Sequence, residues 1–165
     1  MPAGEPARAV TMLQDFPVVV DIEVRFRDMD AFAHVDNIVY YEYFEIARVA
    51  YLDRIGMPIP GPAWHDFGWV IGSTCCRYKA AVVYPDTLSL GTRVGALSDD
   101  RVLMEYRAVS RRLGRVAVEG EALLVAYDFD AGRAIPIRKG IRDAILGVEG
   151  RELPKVPRGG CRAGV

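Results

Sequence analysis

The chain has 165 residues, of which 51% are hydrophobic and 26% charged, so it can form one core and is too short for two ordinary domains. Its 21 Lys and Arg residues against 22 Asp and Glu leave a net charge of -1, which argues against a protein that coats nucleic acid. No apolar run reaches the roughly 18 residues that a membrane helix requires, and the first residues lack a signal-peptide pattern. We therefore expect a soluble, cytoplasmic, single-domain protein.

The cysteine pattern favours neither a disulfide framework nor a zinc site. The three cysteines are Cys75, Cys76 and Cys161, with no CxxC pair, and only His34 and His65 can add imidazole ligands. The adjacent Cys75 and Cys76 side chains are expected on opposite faces of a strand as small buried apolar groups. No metal is expected.

The amino-terminal part of the chain predicts a flexible segment followed by a strand. Residues 1–16 are rich in Ala, Gly and Pro and show no hydrophobic period, which is typical of a loose terminus. A period of two then begins, which predicts a half-buried strand with one apolar face: Val18, Val20, Ile22, Val24 and Phe26.

A polar segment, residues 28–37, separates this strand from a predicted long helix, Ile38 to Arg54. Apolar residues recur there at steps of three and four, which places one apolar stripe on the helix: Ile38, Tyr41, Phe44, Ala47, Tyr51, Leu52 and Ile55. Asp36 or Asn37 is placed to cap the start of the helix, and Gly56 is placed to end it.

The rest of the chain is predicted to be mostly strand. After a surface loop at 57–68, four candidate strands follow: Trp69–Val83, Thr87–Leu97, Arg101–Ser110 and Arg115–Phe129. Their short connections favour antiparallel pairing. A short helix is predicted at Ile141–Leu146, and residues 149–165 are expected to be a flexible tail. We expect one α+β domain over residues 17–148, with a curved sheet covering the long helix.

The polar junction at 28–37 is the best candidate site, because the chain contains no Ser-hydrolase elbow and no nucleotide-binding glycine motif. Asp28 and Asp30 end the strand, and Asn37 opens the helix. Free N–H groups at a helix start polarise a carbonyl, and a nearby carboxylate activates water or attacks directly. The alternative is that Asp28 and Asp30 only hold the turn while Asp36 caps the helix.

The same junction carries a resemblance to a known family. Residues 24–37 read VRFRDMDAFAHVDN and residues 40–48 read YYEYFEIAR. This stretch resembles the signature D-x-D-x-x-x-H-V-N-N followed by Y-x-x-Y-F-E-x-A-R of the 4-hydroxybenzoyl-CoA thioesterase and acyl-CoA thioesterase branch of the hotdog superfamily. Tyr78-Lys79 followed by Asp86 resembles a second, weaker family motif. With the strand order, the resemblance covers about residues 18 to 130.

The resemblance implies a hotdog fold, a curved antiparallel sheet wrapped around one long central helix. It also implies a homodimer or homotetramer with active sites between subunits, and no cofactor. By position, Asp30 becomes the catalytic general base or nucleophile, and the Asn37 N–H polarises the thioester carbonyl. His34 lies in the loop that lines the site. Tyr40 and Lys79 are further candidates for substrate contact, with core packing as the alternative for Tyr40.

Several positions depart from the family pattern. Asp36 replaces an Asn, which adds a negative charge near Asp30 and is expected to raise one carboxyl pKa. Phe32 and Ala33 stand where many relatives have Met-Gly. A second branch of hotdog thioesterases carries its carboxylate on the helix, which leaves Glu42 or Glu45 as the weaker alternative to the D-x-D junction.

The resemblance thus implies an acyl-CoA thioesterase. The alternatives are a non-hydrolytic acyl-CoA binding or sensing protein and a thioesterase for acyl carrier protein. The CoA phosphates are expected near exposed basic side chains, with these candidates: Arg77, Lys79, Arg111 and Arg112.

Overall fold

The computed structural model describes residues 11–57 and 66–159. The elements, in chain order, are β1 (Val18–Glu23), a 3-10 helix (Phe26–Asp28), α1 (Val39–Arg54), β2 (Gly68–Tyr78), β3 (Thr87–Leu97), β4 (Arg101–Ser110), β5 (Arg115–Asp128), β6 (Arg133–Ala134) and α2 (Lys139–Glu149). This order confirms the predicted sequence of a strand, a long helix and four long strands. No described helix is long and apolar enough to cross a membrane.

The strands form one antiparallel six-stranded sheet in the order β1-β3-β4-β5-β2, with β6 paired to β5. β1 runs antiparallel to β3, with Val18 opposite Thr92 and Glu23 opposite Thr87. The neighbours β3, β4 and β5 are consecutive in the chain, as their short connections predict. β1 and β2 end the order, so each has one edge without a strand partner among the described residues.

Alternation along the strands decides which residues form the core. One face of β3 to β5 consists mostly of fully buried apolar residues, among them Leu88, Leu90, Val94, Val102, Met104, Tyr106, Ala108, Val118, Ala122 and Leu124. Helix α1 is buried through Tyr40, Tyr43, Phe44, Ala47, Tyr51 and Leu52. The predicted stripe is therefore largely confirmed, but Ile38 is 62% exposed because α1 begins one residue later.

The described residues fall into two compact units, and α1 and β2 to β5 each contribute residues to both. The first unit comprises residues 11–50, 76–92 and 106–120. In it, the Phe44 and Tyr106 rings stack with their centroids 4.6 Å apart and an interplanar angle of 13°. This contact packs α1 on the buried face of β4.

The second unit comprises residues 51–57, 66–75, 93–105 and 121–159. Its most buried acidic side chain is Glu149, which is 1% exposed at the end of α2. Glu149 Oε1 accepts hydrogen bonds from the Tyr51 hydroxyl and from the Val94 N–H, both at 2.7 Å. The carboxylate thereby ties the last turn of α2 to α1 and to β3.

Two strands are shorter than predicted. The first ends at Glu23, and Phe26 lies in the 3-10 helix with 76% of its surface exposed. The second ends at Tyr78 instead of Val83, because the N–H groups of Lys79 and Ala80 both donate to one carbonyl, that of Ala117. Two successive donors on one acceptor break the regular ladder.

Helix α2 is longer than the predicted Ile141–Leu146. Gly140 and Gly147 lie within it and obscure the helical pattern in the sequence. The helix ends at Gly150, whose φ of 62° is left-handed and whose N–H donates to the Leu146 carbonyl.

The described parts of both terminal segments pack against the sheet, unlike the flexible segments expected. Leu13 and Phe16 are buried against Val109, and a side chain at Gly91 would meet the Phe16 ring at 2.7 Å. The carboxyl-terminal segment covers another part of the sheet through Val156. Residues 1–10 and 160–165 lie outside the described residues, as do 58–65 of the predicted surface loop, including His65.

The cysteine prediction needs correction. Cys75 and Cys76 are both reduced thiols on the edge strand β2, and both are only partly buried. Burial raises the pKa of the Cys76 thiol to about 11. Cys161 lies outside the described residues.

Candidate active site

The polar segment between β1 and α1, residues 28–37, folds back on itself as a narrow loop. At the loop base, the Asp36 N–H donates to the Asp28 carbonyl at 2.9 Å. At the loop tip, residues 30–34, the Asp30 N–H donates to the His34 carbonyl at 2.8 Å. An isolated antiparallel bridge lies between these two pairs. The pairing puts Asp28 beside the start of α1 and Asp30 two residues further out.

The turn at the loop tip contains a residue in an unusual conformation. Ala33 has a φ of 61°, in the left-handed region that favours glycine. Its N–H donates to the Asp30 carbonyl at 3.1 Å. The neighbouring Phe32 is 81% exposed.

Asp28, at the loop base, is buried and fully engaged, with 2% of its surface exposed. Its carboxylate accepts the Arg25 N–H at 2.8 Å and the Tyr43 hydroxyl at 2.6 Å, and it pairs with the Arg25 guanidinium at 2.8 Å. Burial acts to raise the pKa of Asp28, but these hydrogen bonds outweigh it and hold that pKa below its ordinary value. Asp28 is therefore an ionised anchor that joins the loop to α1.

Asp30, at the loop tip, is partly exposed. Its Oδ1 accepts the Phe32 N–H at 2.8 Å and, more weakly, the His34 N–H at 3.4 Å. Its other oxygen, Oδ2, receives no hydrogen bond from the described residues. The loop thus orients the carboxylate through one oxygen and leaves the second available to water or substrate.

The start of α1 presents an exposed N–H group. Asp36 caps the helix, as predicted, because its Oδ1 accepts the Ile38 N–H at 3.0 Å and its carbonyl accepts the Val39 N–H at 3.1 Å. Asn37 is exposed, and its own N–H has no acceptor within residues 11–57 and 66–159. The Asn37 carbonyl accepts the Tyr78 hydroxyl at 3.1 Å.

The remaining predicted site residues lie in different surroundings. His34 is an exposed residue of the loop tip. Tyr40 is 3% exposed, its ring contacts those of Tyr43 and Tyr78, and burial raises its pKa to about 12. Lys79 pairs with Glu119 at 2.5 Å. The structure thus brings Asp30, His34 and Asn37 together on one loop.

The basic side chains proposed for CoA phosphates are partly engaged. The Arg111 guanidinium forms an ion pair with Asp21 and a hydrogen bond with Ser89 at 3.2 Å. Arg77 and Arg112 are exposed. No cluster of three or more His, Cys, Asp or Glu side chains suited to a metal occurs in the part of the chain that the structure describes.

A comparison with protein families identifies the chain. The profile of the thioesterase-like superfamily matches residues 24–145, which include the loop, α1 and strands β2 to β5. The chain belongs to the thioesterase-like superfamily. Several similar solved structures are named as thioesterases, and this chain is a thioester hydrolase.

Solved structures support the assignment of this thioesterase. It is 33% identical to a Thermus thermophilus thioesterase complexed with coenzyme A and Zn, with a TM-score of 0.73 and coverage of 85% of this chain and 99% of the other. It is 26% identical to the gentisyl-coenzyme A thioesterase BH1999, with a TM-score of 0.69 and coverage of 77% and 98%. The DHNA-CoA thioesterase of Staphylococcus aureus, at 20% identity and a TM-score of 0.72, covers 84% and 98% and shares the fold.

These similarities confirm the hotdog fold, and the chain has its antiparallel sheet and its long helix. Two features of the candidate site are not predicted from the sequence. Asp28 belongs to the same D-x-D motif as Asp30, but it is a buried anchor for Tyr43. Asp28 and Tyr43 lie 15 positions apart in the chain. The only signal available in the sequence was an acidic residue before the helix and a tyrosine on the helix that could pair with it. Tyr78 was noted for its motif, but nothing in its pattern indicates the contact with Asn37.

Proposed function

We propose that this thioesterase hydrolyses acyl-CoA thioesters to the free acid and CoA. One observation carries the proposal: a single loop presents a carboxylate oxygen and a helix-start N–H, at Asp30 and Asn37, neither of which has a partner among the described residues. The chemistry of thioester hydrolysis needs both a base or nucleophile and a donor for the carbonyl oxygen.

In the proposed reaction, the thioester carbonyl oxygen accepts the Asn37 N–H, where the positive end of the α1 dipole also favours developing negative charge. Asp30 either takes a proton from the attacking water or attacks the carbonyl carbon itself. In the first route, the C–S bond breaks, the acid is released, and the proton that Asp30 took from water passes to the departing CoA thiolate. In the second route, the C–S bond breaks to leave an acyl–Asp30 anhydride while the CoA thiolate takes a proton from solvent, and water then hydrolyses the anhydride to the free acid and the Asp30 carboxylate.

The other residues receive smaller parts in this proposal. His34 lines the site from the loop tip. The burial of Tyr40 favours core packing over substrate contact, and the ion pair of Lys79 with Glu119 occupies its ammonium group. We therefore place the acyl-CoA contacts first on the exposed groups of the loop.

We further propose a homodimer, itself able to pair into a tetramer, with active sites between subunits. Large apolar side chains are exposed around the loop, namely Phe26, Phe32 and Ile38, and on the edge strand β2, namely Ile71 and Tyr78. Exposed apolar groups beside an unpaired strand edge are typical of an interface. Light scattering on the purified chain should give at least twice the monomer mass, and a monomer at micromolar concentration contradicts this part of the proposal.

A panel of substrates tests the function directly. The panel contains acetyl-, hexanoyl-, palmitoyl-, benzoyl- and 4-hydroxybenzoyl-CoA, and the readout is the release of free thiol. We expect turnover of at least one acyl-CoA and loss of that turnover in Asp30→Asn. Tight binding of acyl-CoA without thiol release would instead indicate a binding protein. If the enzyme hydrolyses these acyl groups only when they are attached to acyl carrier protein, then its substrate carrier is acyl carrier protein and not CoA.

A further inference from the structure

Tyr78 links the edge of the sheet to the start of α1. It is the last residue of β2, and its hydroxyl donates to the carbonyl oxygen of Asn37 at 3.1 Å. Neither the family match nor the reasoning from sequence assigns this hydroxyl a role. The proposal below rests on the proposed function, in which the Asn37 N–H polarises the substrate carbonyl.

The contact matters because of the two peptide groups that flank Asn37. The peptide that carries the Asn37 N–H is held on its other side, where the Asp36 carbonyl accepts the Val39 N–H at 3.1 Å. In the next peptide, the Ile38 N–H donates to Asp36 Oδ1 at 3.0 Å, and the Asn37 carbonyl accepts Tyr78. Tyr78 is the one group outside the loop and α1 that holds these peptides among the described residues. Removing the Tyr78 hydroxyl leaves the Asn37 carbonyl without its donor, so this side of the two peptides is no longer held.

Tyr78 is itself held in place by the sheet and by α1. The N–H groups of the next two residues, Lys79 and Ala80, donate to the Ala117 carbonyl at 2.8 and 3.1 Å. The Tyr78 ring lies 5.6 Å from the Tyr40 ring, at a tilt of 58°. The hydroxyl is therefore fixed relative to β5 and to the first turn of α1. A flexible surface side chain would not be fixed in this way.

The hydroxyl is also suited to be a donor. Burial, together with its contacts with the Cys76 thiol and the Tyr41 hydroxyl, raises the pKa of Tyr78. The group therefore keeps its proton at any pH at which a thioesterase works, and its bond to the Asn37 carbonyl does not depend on pH. Donation to the Asn37 carbonyl also polarises that peptide group and orients the preceding peptide, which carries the Asn37 N–H.

We propose that Tyr78 is a positioning residue for the reaction: its hydroxyl fixes the Asn37 backbone so that the Asn37 N–H points at the substrate carbonyl. Tyr78 itself need not touch the substrate. Small errors in the direction of a donor reduce transition-state stabilisation more than ground-state binding. The expected effect of losing the hydroxyl is therefore on kcat, with KM nearly unchanged.

Kinetics provide the first test. Tyr78→Phe should lower kcat about 10-fold and change KM by less than about twofold, because a misdirected donor loses part of the roughly 100-fold effect of a complete one. Tyr78→Leu also removes the ring, and it should lose about as much kcat as Tyr78→Phe if the hydroxyl is the cause. Tyr127→Phe is the matched control, since Tyr127 lies on β5 and its ring packs against that of Phe129.

A vibrational measurement separates positioning from packing. The probe is a ketone analogue of benzoyl-CoA, with a methylene in place of sulfur and 13C at the carbonyl, which the enzyme is unable to hydrolyse. Its carbonyl band should lie at lower frequency on the wild type and on Tyr127→Phe than in water. Asn37→Pro, which lacks the N–H, and Tyr78→Phe should both return the band towards its frequency in water.

The two proposals fail in different ways. If the band on Asn37→Pro equals that on the wild type, the Asn37 N–H does not polarise the carbonyl and the proposed function of that group is wrong. If Asn37→Pro moves the band and Tyr78→Phe does not, the positioning role of Tyr78 is wrong while the proposed function stands. Tyr78→Phe loses one hydrogen bond and keeps the ring with its contact to Tyr40, so its melting temperature should stay within a few degrees of wild type.

Discussion

The loop base and the loop tip are only two residues apart, yet their carboxylates have opposite surroundings. Asp28 is 2% exposed and accepts hydrogen bonds from Arg25 and Tyr43, so every strong interaction it makes is with the protein. Asp30 is partly exposed and has one oxygen without a donor among the described residues. Two identical side chains in one D-x-D motif thus differ in their surroundings, and in the proposed function only Asp30 takes part in the chemistry.

The difference shows how such a site keeps its geometry. A carboxylate that reacts must stay accessible, so it can make few bonds that hold it in place. The loop solves this by fixing the backbone elsewhere, through Asp28 at the base and the Asp36 cap at the start of α1. Substitutions at the base should therefore cost mainly stability, and substitutions at the tip mainly activity.

The largest effect should come from Asp30→Asn. We expect kcat/KM for the best acyl-CoA to fall about 1,000-fold, because the amide neither accepts a proton nor attacks the carbonyl. The melting temperature should stay within a few degrees, since the amide oxygen still accepts the Phe32 N–H. Asp53→Asn, on the exposed side of α1, removes the same charge and is expected to leave kcat/KM unchanged. An active Asp30→Asn enzyme would turn attention to Glu42 or Glu45.

Asp28→Ala should reduce the free energy of unfolding by about 3 kcal/mol, because it leaves the buried Tyr43 hydroxyl and the Arg25 backbone without their acceptor. Denaturant unfolding measures this loss. The control is Asp100→Ala, which removes a more exposed Asp–Arg pair and should cost less than about 1 kcal/mol. If Asp28→Ala and Asp100→Ala lose equal free energy of unfolding, then Asp28 stabilises the protein no more than an exposed ion pair does.

The pH dependence of stability should report the ionised Asp28 carboxylate at the loop base. Because the pKa of Asp28 is lower in the folded protein than in the unfolded chain, the folded state binds fewer protons and stability rises with pH. The stabilisation by ionised Asp28 is complete above the unfolded pKa of about 4 and is lost as the pH falls through the lower folded pKa. The difference in unfolding free energy between wild type and Asp28→Asn should therefore narrow below about pH 4. A constant difference from pH 7 to pH 3 would contradict this assignment.

The smallest effect is expected at Ala33, in the turn of the loop tip. Ala33→Gly should raise the free energy of unfolding by about 0.5 kcal/mol, because relief of the left-handed φ outweighs the added chain entropy. At the same time kcat/KM should fall a few-fold, since a looser tip holds Asp30 less firmly. Ala131→Gly, in an exposed turn without a positive φ, should lower stability instead. If Ala33→Gly gains stability and keeps full activity, then the left-handed conformation of Ala33 does not contribute to the function of Asp30.

Much of the fold follows from local patterns. Alternation placed β3 and β4 at their observed ends, and steps of three and four placed α1 within one residue of its start. The errors come from contacts between residues that are far apart in the chain. The strand from Val18 ends early because Asp28 turns back to meet Arg25 and Tyr43, and β2 ends at Tyr78 because two amides share one carbonyl. Neither contact leaves a trace in hydrophobic periodicity.

The terminal segments show the same limit. Residues 11–16 have no period, but Leu13 and Phe16 pack on the sheet because Gly91 leaves space for the Phe16 ring. A glycine within a strand indicates that something approaches closely, yet it does not say which part of the chain does so.

By itself, the sequence determined the α+β class, the antiparallel strands, the long helix and the polar loop that holds Asp30 and Asn37, since these depend on residues close together in the chain. Only the tertiary structure decided that Asp28 is buried and Asp30 partly exposed, and that Tyr78 reaches the Asn37 carbonyl. Those outcomes depend on contacts between residues up to 41 positions apart. The free energy of such contacts depends on burial and direction, which the folded chain alone establishes.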